Sequence, residues 1–135
     1  MDESILDSIK KMLGLPDTYE AFDTDISTNV NAALLKLEQA GVGKEFFYIS
    51  DSTAIWSDFL GDNSDLLGGC MTFVYLQTRI IFDPPSNSFV LDAMKTQSEE
   101  LLYRLMLQVE EVYKDVPIPK LLDAPRCKRN EMGRP

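Results

Sequence analysis

Three groups of residues in this 135-residue chain combine side chains that bind or react. Gly41-Val42-Gly43 has the small residues of a phosphate loop. Such a loop needs a third glycine or a lysine, and it joins a strand to a helix. This triplet instead follows a helical pattern, so it reads as a helix stop. Asp62-Asn63-Ser64-Asp65 gathers oxygen atoms suited to calcium, but the ligand spacing and closing glutamate of an EF-hand loop are missing. A helix-capping cluster accounts for it. Cys70 and Cys127 are the only cysteines and form no CxxC, which signals neither a zinc site nor a redox pair. Cys127 sits among basic residues that lower a thiol pKa and is the more reactive of the two. The chain has no histidine, the commonest acid–base group at neutral pH and the commonest metal ligand. No two carboxylates stand apart from a solvated acidic face. The sequence assigns no catalytic, cofactor or metal residue, and the chain reads as a non-enzyme.

Charge narrows the partners. Thirteen Lys and Arg against twenty-two Asp and Glu leave a net charge of -9. A protein that grips phosphates carries a basic surface, so nucleic acid is not an expected ligand. The distribution is uneven. Residues 1–114 hold 8 basic and 19 acidic side chains, whereas residues 115–135 hold 5 basic and 3 acidic. An acidic body thus carries a mildly basic tail. No stretch approaches the roughly 20 apolar residues of a membrane span, and Met1-Asp2-Glu3-Ser4 lacks the basic opening of a signal peptide. The cytosol of the producing cell is the expected compartment.

The elements that must position any function read as five helices. Ile5, Ile9, Met12 and Leu13 mark the first, with Gly14 and Pro16 as its stop. The second opens at Asp23-Thr24-Asp25, whose side chains are expected to accept from free amides, and carries Ile26, Val30, Ala33, Leu34 and Leu37. Phe46-Phe47-Tyr48-Ile49 is an extended aromatic segment, either a lone strand or a loop packed on the core. Asp51-Ser52 is expected to cap a short third helix with Trp56 as a core anchor. The fourth starts in the Asp62–Asp65 cluster and is apolar over more than one face, so it should be central. Asp83-Pro84-Pro85 stops it, because the residue before proline is steered away from helical angles. Ser86-Asn87-Ser88 can cap the fifth, from Phe89 to about Lys114, with a stripe through Val90, Ala93, Met94, Gln97, Leu101, Leu105, Gln108 and Val112 that Leu102 and Val109 widen. At 1.5 Å per residue it is about 39 Å long, more than a small core needs.

The expected fold is therefore all-α: a small bundle of about five helices, a short extended aromatic segment and an extended C-terminal tail. Residues 1–114 form the helical domain and 115–135 the arm. In the arm, Val116-Pro117-Ile118-Pro119 favours extended backbone, and Lys120, Arg126, Lys128 and Arg129 supply its charge. A segment of this kind orders on a partner surface. Within the body, Gly68-Gly69 costs helix propensity, about 1 kcal/mol each against alanine. A close crossing with a neighbouring helix, of this or another chain, would offset that. Arg79 and Arg104 lie in otherwise apolar helices, where they neutralise acidic neighbours or bridge to a partner subunit. These four are the candidate subunit-interface residues.

Several blocks occur in a telling order: Phe22-Asp23-Thr24-Asp25-Ile26, Leu37-Glu38-Gln39-Ala40-Gly41-Val42-Gly43, Trp56-Ser57-Asp58-Phe59-Leu60, Arg79-Ile80-Ile81-Phe82-Asp83-Pro84-Pro85 and Ser86-Asn87-Ser88-Phe89-Val90. With Asp17-Thr18-Tyr19 and Val74-Tyr75-Leu76-Gln77-Thr78, this series resembles the head–tail connector (adaptor, or head-completion) proteins of long-tailed bacteriophages. The likeness covers roughly residues 4 to 111 and does not extend past Val116. It implies a helical bundle that assembles as a ring, commonly dodecameric, beneath the portal protein at the capsid vertex. Such adaptors extend the DNA exit channel and give stopper and tail-completion proteins a platform, with DNA passing through unbound. Their C-terminal segment commonly reaches the portal, a role that would fall here to Val116–Lys120, Arg126, Lys128 and Arg129. The resemblance places the mature protein in the virion neck. The rival reading is a small cytosolic helical module that binds one regulatory or scaffold partner.

Overall fold

The computed structural model describes residues 3–16, 18–61 and 63–113. The expected end of the last helix at Lys114, the entire arm 115–135 and Cys127 lie outside the described residues, as do Asp17 and Asp62. Five α-helices follow one another: α1 (Ile5–Met12), α2 (Asp23–Gln39), α3 (Trp56–Leu60), α4 (Leu67–Phe82) and α5 (Ser88–Tyr113). A 3-10 turn, Ser64–Leu66, leads into α4.

Helix α4 is the central element, packed against α1, α2 and α5. Its apolar side chains cover most of its circumference, and Cys70, Phe73, Val74 and Leu76 are all buried. The α4–α5 pair is antiparallel: Gly69 faces Leu105 at one level, and Gln77 donates to Ser98 further along. Helix α2 buries Ile26, Val30, Ala33, Leu34 and Leu37, the spacing read from the sequence.

Two helices end in the same device. After α2, Gly41 adopts φ 90°. The Val42 amide then reaches Leu37 O at 2.8 Å, and the Gly41 amide reaches Glu38 O at 2.9 Å. After α1, Leu15 bonds Lys10 O and Gly14 bonds Lys11 O in the same pattern. Both are Schellman caps, in which glycine takes the left-handed position without a side-chain clash. Gly43 has a further constraint, because a Cβ there would lie 2.2 Å from the Phe59 ring.

Helix starts differ from the sequence expectation. The residue preceding α2 is Phe22, which has no acceptor, and no side-chain cap forms. Asp23 is engaged elsewhere: its Oδ1 lies 2.8 Å from Nζ of Lys10, whose side chain is 1% exposed. A buried ammonium requires a close carboxylate, and that demand outweighs capping. Asp51 does not cap α3 either. It accepts from the Thr53 amide at 2.9 Å in a local turn, and α3 begins later, at Trp56. There Asp58 Oδ2 accepts from the Ile55 amide at 3.1 Å. Asn63 precedes the 3-10 turn Ser64–Leu66, again without a side-chain cap, and α4 begins only at Leu67, so Gly68-Gly69 falls in its first turn instead of its interior. First-turn amides lack an intrahelical partner anyway, which lightens the propensity penalty.

The start of α5 agrees with expectation. Asn87 Oδ1 accepts from the Phe89 amide at 2.8 Å and from the Val90 amide at 3.3 Å. Its inward face keeps Met94, Leu101, Leu102, Leu105 and Val109 of the expected stripe but differs at its edges. Met94, Ser98 and Leu105 are buried, whereas Val90, Ala93, Gln97 and Gln108 are exposed. Ser98 is tolerated inside because Gln77 donates to it, so the polar residue marks the α4–α5 seam that an apolar count passes over.

Trp56 is the core anchor expected of it. It is fully buried, and its indole N–H donates to Ser8 Oγ at 2.9 Å, which ties α3 to α1. The connection is reinforced where Ser4 and Ile55 form an isolated antiparallel bridge.

Candidate assembly interface

The aromatic segment forms no strand, yet it alternates like one. Phe47 packs on Phe59, with centroids 5.3 Å apart, and Ile49 is buried. Phe46 and Tyr48 point outward, 86% and 71% exposed. Asn31 substitutes for a partner strand. Its Oδ1 accepts from the Ile49 amide at 2.7 Å and its Nδ2 donates to Ile49 O at 2.9 Å. The period-two alternation of 46–49 was the available signal for this outward pair.

The outward side of α4 carries Gly68, Thr72, Tyr75 and Arg79 at intervals of four, three and four, one line along a helix. Gly68 is exposed and the other three are half-buried. Arg79 is held from both ends, Nη1 donating to the Tyr75 hydroxyl at 2.9 Å and Nε to Asp83 O at 3.4 Å. The Tyr75 hydrogen bond first, with the Asp83 charge as a smaller contribution, raises the guanidinium pKa above its ordinary value. Arg79 thereby fastens the end of α4 to the Pro84-Pro85 turn.

Beside this line, α4 and α5 enclose an open groove of about 270 Å³, lined by Gly68, Gly69, Thr72, Gln97, Leu101 and Arg104, among others. Three of the four interface candidates therefore meet, and Arg79 lies further along the same helix face. The two glycines do different things. A Cβ on Gly69 would approach Leu105 Cδ2 to 2.8 Å, so the close crossing is with α5 of the same chain. A Cβ on Gly68 would meet nothing within 4 Å. Arg104 is exposed and lies 3.6 Å from Glu100, an ion pair that water and salt weaken.

A second recess, about 510 Å³, opens between Gly41–Lys44, the end of α3, and Gln108 and Val109 of α5. It borders the last described turns of α5. No cluster of three or more His, Cys, Asp or Glu suited to a metal occurs among the described residues. The Cys70 thiol is buried, and desolvation pushes its pKa up to about 12, which holds it protonated and unreactive. No helix among the described residues is long and apolar enough to cross a membrane.

The described residues thus form an all-α bundle with open grooves and exposed aromatic side chains. A family model described as phage connector protein matches residues 5–112, most of the chain, and the chain belongs to that family. No curated protein and no solved structure matches it. Membership makes it a structural head–tail connector protein of a bacteriophage virion, a component that works with other head and tail proteins.

Proposed function

We propose that copies of this chain form a ring beneath the portal, twelve being the number the family resemblance implies, and that the ring extends the DNA channel and docks the stopper or tail-completion protein. The observation that carries this reading is the open side of α4, where the Gly68–Thr72–Tyr75–Arg79 line borders a groove on the most central helix of the bundle. A ring requires a patch that meets a different patch on the next copy. Gly68, Arg79 and Arg104 are assigned to that contact, while Gly69 sets the α4–α5 crossing beside it within one chain. The arm, with Val116, Pro117, Ile118, Pro119, Lys120, Arg126, Lys128 and Arg129, is assigned to the portal.

Charge is consistent with a conduit. Twelve copies at -9 each carry about -108 formal charges, which repels sliding DNA instead of binding it. The test is particle mass by light scattering, alone and with purified portal. A ring-sized increase on portal supports the reading, and a chain that stays monomeric in both conditions favours the single-partner module. Deleting residues 116–135 is expected to abolish portal attachment while the helical domain stays folded. Attachment that survives the deletion transfers the role to the folded domain.

A further inference from the structure

Helix α5 outruns its neighbour. Leu105 packs at Gly69, in the first turn of α4, and α5 continues eight residues beyond it to Tyr113. At 1.5 Å per residue that is an overhang of about 12 Å. Beside the overhang lies the larger recess, about 510 Å³, with Phe59, Leu60, Leu66 and Val109 as its apolar lining. The loop that bounds it is held in place. The Lys44 amide donates to Phe59 O at 2.8 Å, the Phe46 amide donates to Glu38 Oε1 at 3.1 Å, and Gly41 and Gly43 take left-handed turns at φ 90° and 85°. A recess fixed in advance loses little conformational entropy on being filled. Its charged lining residues are Asp58, Asp65 and Lys44, all exposed.

We propose that this recess is the seat of the chain's own arm in the unassembled protein, taking the apolar side chains of Val116, Ile118 and Leu121 and setting Lys120 toward Asp58 and Asp65. The reach fits. Tyr113 lies one helical turn past Val109, about 6 Å along the axis. Val116 and Ile118 follow Tyr113 by three and five residues, about 10 and 17 Å of extended chain, so both can return to the level of Val109. Direction fits, because Pro117 and Pro119 steer Val116 and Ile118 away from helical angles and so turn the chain off the α5 axis. The volume is more than three times the about 150 Å³ of a cavity that admits benzene, which leaves room for several side chains. Charge fits as well. Residues 116–122 contain Lys120 and no acid, and the recess sets two carboxylates against one lysine. A seated arm has to leave the recess before the portal can hold it, so the seat delays assembly until a portal is present. That consequence alone rests on the portal assignment.

The test places a nitroxide on the natural Cys127 of the full-length chain, which leaves the arm segment and the recess unaltered, while buried Cys70 stays unlabelled. In dilute protein without portal, the amide resonances of Lys44, Gly61 and Asn63 are expected to lose most of their intensity relative to the reduced label. The Phe89 amide, at the other end of α5, is expected to keep its intensity. Ile118→Asp in the same labelled chain is expected to restore the recess amides with unchanged helical circular dichroism, and Asp65→Lys to restore them in part. Full intensity at the recess amides of the labelled parent, or a loss that Ile118→Asp leaves in place, overturns the proposal. A loss that Asp65→Lys leaves in place overturns the pairing with Lys120. A second sample mixes labelled chain of natural isotope abundance with unlabelled enriched chain. Broadening of the enriched recess amides there means that the arm sits on a second copy, which overturns the own-chain assignment. None of these failures touches the ring or the portal contact, which are read from particle mass.

Discussion

The rings of Phe22 and Phe82 meet edge to face, 5.3 Å between centroids and 70° between planes. Tyr19 extends the cluster, its ring 5.8 Å from that of Phe22. The contact joins the Phe-Asp-Thr-Asp block before α2 to the Arg-x-x-Phe-Asp-Pro-Pro block at the end of α4. Their charged members act at the same corner, Asp23 on Lys10 and Arg79 on Tyr75 and the Asp83 carbonyl. The blocks that carry the family likeness are thus the fastening of one end of the bundle. Phe22→Ala and Phe82→Ala are each expected to cost about 1–2 kcal/mol, because both rings remain partly exposed. A double-mutant cycle in urea should show a coupling of about 0.5–1.5 kcal/mol. Strictly additive costs would mean that the rings merely lie near each other.

Gly68 and Gly69 are neighbours with opposite expected responses. Gly68→Ala meets open space and gains helix propensity, so stability should rise by a few tenths to about 1 kcal/mol. Gly69→Ala pushes against Leu105, a buried side chain, and should cost about 1 kcal/mol despite the same propensity gain. Urea denaturation of the two variants checks the sign. Equal effects would show that the α4–α5 crossing is looser than described.

Cys70 offers a test by pH. Its folded-state pKa is raised to about 12 from 9.0, so the unfolded chain releases this proton first. The contribution to stability is full below about pH 9 and is lost as pH rises toward 12, with a limit on the order of 4 kcal/mol. The stability of the parent relative to Cys70→Ala should therefore fall as pH rises from about 9 toward 12, and thiol reagents should spare Cys70 in the native chain at pH 8. Rapid native labelling at Cys70 would contradict its burial.

Thr78 is fully buried, and its hydroxyl has no hydrogen-bond partner among the described residues. An orphaned polar atom in a core costs free energy that its removal recovers. Thr78→Val keeps the shape and should stabilise the bundle by about 1 kcal/mol in urea titrations. A loss of stability would indicate a partner for the hydroxyl.

The five helices, the central place of α4 and the role of Trp56 were legible because apolar spacing is a direct consequence of helical geometry. The failures have a common cause. Asp23, Asp51 and the Asn63–Asp65 stretch have the right side chains for caps, but a cap competes with any stronger local claim, and buried Lys10 makes one. One edge of the α5 face was missed because Ser98 is satisfied by Gln77, a pairing that no single helix displays. Gly68 and Gly69 were legible as a close crossing, but the separate tasks of the two residues depend on which of them faces Leu105. Nothing in the order of residues 46–49 indicated that the amide of Asn31, on a different element, would stand in for a strand.

That amide gives the last prediction. Ile49 is buried, and Asn31 satisfies both its N–H and its C=O. Asn31→Ala leaves two buried backbone groups to find water or go unpaired, and the expected loss is about 2 kcal/mol. Asn31→Asp retains the acceptor for the Ile49 amide but sets a carboxylate oxygen against the carbonyl, so it should recover only part of the loss. Hydrogen exchange at the Ile49 amide should accelerate in Asn31→Ala at concentrations where the helical core keeps its protection, because the aromatic segment is fastened separately from the α2–α4 packing. If Ile49 exchange instead tracks global unfolding in both variants, the clamp is redundant, and the fixed outward pose of Phe46 must come from the Glu38 and Phe59 contacts alone.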